Sequence, residues 1–334
     1  MQDIWPNKCI SRIVLVQAAA TEPGIPYDGT AMPILNIKHV TSYHYHQPVA
    51  FGEHRMMLLP RDDEDQKVLE SEIEITPRPL RLAWSRDPFG NHVATAHFTD
   101  RATELRFVSN IRLDHAPAGF AAAEIDPAAR RYPFAYAARD RPNLKRYMRK
   151  PAGRRELDRW SSGFFLQDGS ADTHEMLVTM TQTIRRTFKH VARHQKGIQD
   201  PLRTLVLGSG SCRDLAMLMI AVLRSRGIAA RFVSGYLHLA DDDDVHGGNT
   251  HAWLQVYVPG PGWVDFDPSG GNVGNQNLVR VAVVDHPREA IPLQGTWHGA
   301  AWDHLAMKVA VQVRAAATLD VEQDSDGPNQ RNLR

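Results

Sequence analysis

The sequence predicts an α+β protein in two parts: an N-terminal antiparallel β-domain, then a core in which a helix packs on an antiparallel sheet. Three observations predict it. Residues 70–76, 92–98 and 105–113 are short runs with partial alternation, separated by turn residues, as in an antiparallel domain. Leu215, Leu218, Met219, Val222 and Leu223 recur at helical spacing, and Gly227 supplies a stop. Residues 230–239 and 250–258 are rich in β-branched and aromatic residues, and Pro259-Gly-Pro-Gly262 turns the chain into 263–267. At 334 residues the chain exceeds one usual core, and 43% hydrophobic with 23% charged residues is ordinary for a globular protein.

In chain order, residues 1–32 are expected to be a disordered extension, with Met32 a candidate natural start. The segment Cys9–Ala20 has the outline of a signal sequence, but Arg12 interrupts it and Asp3 precedes it, so a cytoplasmic protein is expected. No stretch approaches the roughly 20 apolar residues that span a bilayer, so no membrane partner is expected. Cys9 lies in this extension, and no structural disulfide is implied. Residues 33–116 form the β-domain and 117–170 a helical linking region. The basic cluster Arg141–Arg155 reads as the solvated face of a linking helix. With a formal charge of +1, nothing calls for nucleic acid as a partner. The core spans 171–318. It opens with a helix over 173–190, where Met176, Met180 and Ile184 are spaced by four, and closes with the alternating strand 307–313. Residues 319–334 read as a disordered tail. There is no internal repeat.

Ser211 and Asp214 have the spacing of a capping box, which makes Cys212 the first residue of the apolar helix. A thiol there meets unsatisfied N–H groups and the positive end of the helix dipole, and both favour thiolate. Most single cysteines only pack, so the claim needs a base. His251 begins one strand and Asp267 ends its hairpin partner. A thiol, an imidazole to move its proton and a carboxylate to hold the imidazole supply the three roles of a nucleophilic triad. Parity sharpens the claim. A four-residue connection pairing Val258 with Trp263 puts Asp267 on the face opposite His251; a three-residue connection or a bulge puts them on one face.

The blocks Gly208-Ser-Gly-Ser-Cys212-Arg-Asp, Gly227 to Tyr236, Thr250-His251-Ala-Trp and Gly262-Trp-Val-Asp-Phe-Asp267-Pro-Ser resemble the bacterial transglutaminase-like proteins, relatives of the papain-type thiol enzymes. The resemblance covers about residues 170–300. It implies a papain-like, transglutaminase-like core with the nucleophile at a helix N-terminus, with Cys212 as nucleophile, His251 as base and Asp267 as third member. Position 269 is Ser where the family often shows Thr. Leu35 to Tyr45, Pro48-Val49, His54 to Arg61 and Asp87 to Asn91 resemble the domain that precedes this core in bacteria. The resemblance gives the histidines there, His39, His44, His46 and His54, no chemistry.

Acyl transfer also needs donors for the developing oxyanion. The Cys212 N–H is one candidate, and His190, His194, Gln195 and Trp253 are candidates for the second donor or for substrate contacts. His238, His246 and Asp241–Asp244 lack the ligand spacing of calcium or zinc sites and read as a solvated loop, so no metal and no cofactor are expected. The expected reaction is attack of Cys212 on an amide of a peptide or protein substrate, giving a thioester. Family analogy favours hydrolysis, by a peptidase or amidase, over protein-glutamine cross-linking. A non-catalytic peptide-binding module on the same fold is the alternative from another class. The sequence leaves the oligomeric state open.

Overall fold

The computed structural model describes residues 11–15, 34–116, 118–151, 155–193, 197–238 and 248–316. Within these, the fold is α+β, as the sequence predicts. The N-terminal unit is an antiparallel sheet of eight strands. Six come from the first part of the chain: β1 (Ser11–Leu15), β2 (Ile34–Met56), β3 (Gln66–Thr76), β4 (Arg81–Arg86), β5 (His92–His97) and β6 (Arg101–His115). Alternation shows in the burial of β3, where Val68, Ile73 and Ile75 are covered while Lys67 and Glu70 are not.

The linking region holds β7 (Arg131–Tyr132), α1 (Arg141–Leu144) and α2 (Arg155–Ser161) among 3-10 turns. The basic cluster sits on short helical pieces with irregular joins: α1 gives way to a 3-10 turn over Lys145–Met148, after which Arg149 is extended (φ −63°, ψ 112°). Pro142 sits in the first turn of α1, where its missing N–H costs no helical bond, and Pro151 follows the last piece. Arg141, Lys145, Arg146, Arg149 and Lys150 are exposed, as a solvated face should be.

The core follows with β8 (Ala171–Asp172), α3 (Thr173–Thr187), β9 (Lys189–His190), α4 (Pro201–Leu207), β10 (Ser209–Gly210) and α5 (Cys212–Ser225). The helix expected over 173–190 ends at Thr187, because Phe188 is extended (φ −107°, ψ 133°) and leads into β9. A five-stranded antiparallel sheet completes the core: β11 (Ala230–His238), β12 (Gly248–Val258), β13 (Gly262–Asp267), β14 (Asn272–Val273) and β15 (Leu278–Val284), in the order β14-β13-β12-β11-β15. The helix α5 is buried on every side from Asp214 to Leu223. It lies between Phe232, Leu254, Val256 and Phe266 of the sheet and Met176, Leu177, Met180 and Ile184 of α3. No described helix is long and apolar enough to cross a membrane.

Two sequence expectations about boundaries are corrected. The last strands, β16 (Leu293–His298) and β17 (His304–Ala315), pair with β2 and so belong to the N-terminal sheet, not to the core in which the sequence places 307–313. Alternation identifies a strand but not its partner; here Val311 and Val313 pack with Leu35, Ile37 and Val279. Ser11–Leu15 pairs antiparallel with β3, so these five residues of the expected extension are a strand. The rest of that extension, Cys9, the 319–334 tail, His194, Gln195 and the 241–246 loop residues lie outside the described residues.

The two units share a core along Leu59, Val68, Ile111, Leu113, Tyr236 and Val281. Polar contacts reinforce the seam: the buried Tyr236 hydroxyl donates to the Leu58 carbonyl (3.0 Å) and meets His39 Nδ1 (3.1 Å). The sheet is kinked where β11 and β15 slip register between Ser234 and Gly235. A Cβ on residue 235 would lie 2.0 Å from the Val279 carbonyl oxygen and 2.7 Å from the Trp253 ring. Gly235→Ala is therefore expected to cost about 1–3 kcal/mol or more of overpacking, read as a lower denaturant midpoint.

Candidate active site

Cys212 is the first residue of α5, behind an extended Ser211 (φ −76°, ψ 169°). Asp214, wholly buried, holds this helix start in place. Its Oδ2 accepts from the Ser211 N–H (2.9 Å), the Ser211 hydroxyl (2.8 Å) and Arg193 Nε (2.6 Å). Its Oδ1 accepts from the Gln199 N–H (2.7 Å) and Arg193 Nη2 (3.2 Å). Burial raises the Asp214 pKa, but Arg193 and these N–H donors outweigh it and hold the carboxyl below its ordinary value. The capping box was legible in the sequence; that it also anchors Arg193 and Gln199 was not.

The approach to the nucleophile is set by backbone. Gly208 takes the left-handed conformation (φ 59°) at the end of α4, and the chain then runs as β10 beside β9, in parallel. This pairing sets His190 opposite Gly210, two residues before Cys212. The pKa of His190 is raised chiefly by its interaction with the Cys212 side chain. It is exposed, whereas Cys212 is half-buried.

His251 and Asp267 meet as the parity argument requires. Val258 pairs with Gly262 and Leu254 with Phe266, so the β12–β13 connection has three residues, and Asp267 falls on the face of His251. Asp267 Oδ2 lies 2.9 Å from His251 Nε2. The other oxygen accepts from the Ser269 N–H (2.9 Å) and hydroxyl (2.7 Å), so the buried carboxylate is held on both sides. Nδ1 of His251 is thus the nitrogen left for Cys212, whose thiolate helps to raise the pKa of the ring. The sequence offered Ser269 only as a departure from a family habit; here it orients the acid.

Electrostatics follow from this geometry. Burial pushes the Cys212 thiol up, but hydrogen bonds from His190 and His251, and their charge, bring it down to about 6. Burial lowers the His251 pKa, but Asp267 and the thiolate together raise it to about 10. Burial raises the Asp267 pKa, and the His251 bond and charge overcome that and lower it. Between these values the stable state is thiolate beside imidazolium. Such a pair has both the nucleophile and the proton that an amide's leaving nitrogen requires.

Trp253 is a correction to the sequence reading. It is fully buried, and its indole N–H is taken by Asp265 Oδ1 (2.6 Å). It lies beside the His251 ring (centroids 6.1 Å apart, planes 23°) and cannot touch substrate. His190 remains the described candidate next to the thiol. Among the described residues, no group of three or more His, Cys, Asp or Glu side chains is arranged to hold a metal ion.

Comparison with known proteins agrees with this architecture. Residues 35–114 match the bacterial transglutaminase-like N-terminal region, and residues 165–268 match the transglutaminase-like superfamily. An uncharacterized protein of Mycobacterium tuberculosis is 26% identical over 290 residues, covering 83% of this chain and 91% of that protein. A protein-glutamine gamma-glutamyltransferase of Pseudomonas aeruginosa is 38% identical over 88 residues, covering 25% of this chain and 13% of that protein. A crystal structure of a candidate cysteine protease from Cytophaga hutchinsonii superposes with a TM-score of 0.64 at 16% identity, over 86% of this chain and 92% of that one, and so shares the fold.

Proposed function

This chain belongs to the transglutaminase-like superfamily, a family of thiol enzymes, and on that premise we propose that it is a cysteine-dependent acyl-transfer enzyme acting on peptide or glutamine-type amides. The observation that carries the reading is His251 held by Asp267 at 2.9 Å on one nitrogen, with Cys212, at the helix start, close enough to act on the charge of the ring. The Cys212 thiolate attacks the amide carbonyl, and His251 gives its proton to the departing amine, leaving a thioester. The Cys212 N–H, at the first position of α5, serves as an oxyanion donor, with His190 the candidate for the second. Water then attacks the thioester, His251 takes its proton, and the acid leaves with the thiol restored. Asp267 stays ionised throughout and holds the imidazole.

Hydrolysis is the favoured outcome because the thiol is flanked by an exposed His190, which leaves water a path to the acyl group. The likeness to the Pseudomonas transferase favours a second reading, in which a primary amine replaces water. Incubation with casein, with and without dansylcadaverine, separates the two. New α-amino groups or ammonia without dansyl incorporation support the hydrolase; dansyl incorporation into casein supports the transferase. Neither product would leave the peptide-binding module.

A further inference from the structure

On the same face of β12 as His251 stand Trp253 and Gln255, and beside them on β13 stands Asp265, opposite Gln255. These side chains form one buried polar row. Asp265 Oδ1 accepts from the Trp253 indole (2.6 Å), and its Oδ2 accepts from Gln255 (3.1 Å) and Arg280 Nη1 (2.8 Å). Arg280, on β15, is only 4% exposed and is gripped by the N-terminal unit. Its Nη2 pairs with Asp65, and its Nε lies 3.5 Å from Asp63. Its backbone N–H donates to Gln66 Oε1 (2.9 Å), and its carbonyl accepts from Gln66 Nε2 (2.8 Å) and the Arg61 N–H (3.1 Å).

The far end of this row is the His251 ring. Trp253 lies beside it, and Gly235, paired with His251 across β11 and β12, leaves room for the benzo edge of the indole, which a Cβ there would meet at 2.7 Å. The pyrrole edge of the indole is held by its N–H bond to Asp265. Buried ion clusters of this kind are weak sources of stability, since well-packed apolar residues often do as well. What they fix is geometry.

We propose that the N-terminal β-domain positions His251 through the buried relay Asp65–Arg280–Asp265–Trp253, so that these are positioning residues and the domain is a working part of the site. The proposal rests on the acyl-transfer reading above. It assigns the segment 61–66 a role beyond covering one side of the core: its carboxylates orient Arg280, Arg280 orients Asp265, and Asp265 holds the indole that backs the imidazole.

The test uses the full chain and the rate of Cys212 alkylation by iodoacetamide from pH 5 to 10, with thermal unfolding recorded for each variant. Asp65→Asn and Trp253→Phe are each expected to slow alkylation at pH 6 by about threefold to tenfold, since one pH unit in the thiol midpoint is a tenfold change in thiolate. Both should rejoin the wild-type rate above pH 9, and Asp65→Glu should restore the wild-type profile. The double variant should be no slower than the slower single, because both cut one relay, whereas independent effects would multiply. If Asp65→Asn does not fold, Asp63→Asn, at a more exposed rim, carries the same expectation. A lowered unfolding temperature with an unmoved pH profile would overturn the relay, and so would multiplying effects. An ordinary thiol profile in the wild type would instead overturn the acyl-transfer reading itself.

Discussion

Replacing Cys212 by alanine is expected to abolish amide turnover, by roughly 10⁴-fold or more, while the protein stays folded. The two halves of that expectation have separate causes. Cys212 is half-buried at the first position of α5, and alanine is a good helix former there. The capping contacts run through Ser211 and Asp214, not through the thiol, so the helix start survives. The reaction does not, because the residue that attacks the carbonyl is gone while His251 and Asp267 remain paired. Loss of the thiolate also removes one of the interactions that raises the His251 pKa, so the imidazole should titrate at lower pH than in the wild type. Turnover of casein, with thermal unfolding recorded alongside, checks both halves.

Asp214→Ala should instead act through the fold. Five donor contacts converge on a carboxylate with no exposure, and Arg193, 15% exposed, is its ion-pair partner. Removing one member of such a pair takes the carboxylate from the Arg193 guanidinium and from the Ser211 and Gln199 N–H groups, at a cost of about 3–5 kcal/mol. That is a large share of a typical domain's 5–15 kcal/mol. Urea unfolding should show the loss as a lower midpoint, and the nucleophile's helix start should loosen with it. The native carboxyl is held below its ordinary pKa, so its stabilisation is complete above about pH 3.9, the unfolded value, and is lost as pH falls through the lower native one. The alanine variant should therefore lose less stability than the wild type on going from pH 5 to pH 2.

The local chemistry of the site was legible because it is written in short-range signals. Ser211 and Asp214 announce the helix start, and the three-residue connection between Val258 and Gly262 realises the parity that brings Asp267 to His251. Long-range pairing was not legible. Strand β17 alternates as cleanly as a core strand would, yet its partner is β2, far away in sequence, and nothing local specifies that. Arg280 and Asp65 are likewise unremarkable in sequence and are joined only when the two units pack. Trp253 shows the complementary error. It stands among the candidates for oxyanion or substrate contact, but period-two alternation carries it into the buried row with Asp265.

The central claim is that Cys212 exists as a thiolate paired with His251 near neutral pH. The most direct measurement is the pH dependence of Cys212 alkylation, followed by peptide mass spectrometry, in the wild type and in His251→Ala. A thiolate held by His190 and His251 gives a wild-type half-maximum near pH 6, and removing His251 moves it upward, because burial then acts against a weaker set of partners. A wild-type half-maximum near the free-thiol value of about 8.5, unmoved by His251→Ala, would contradict it.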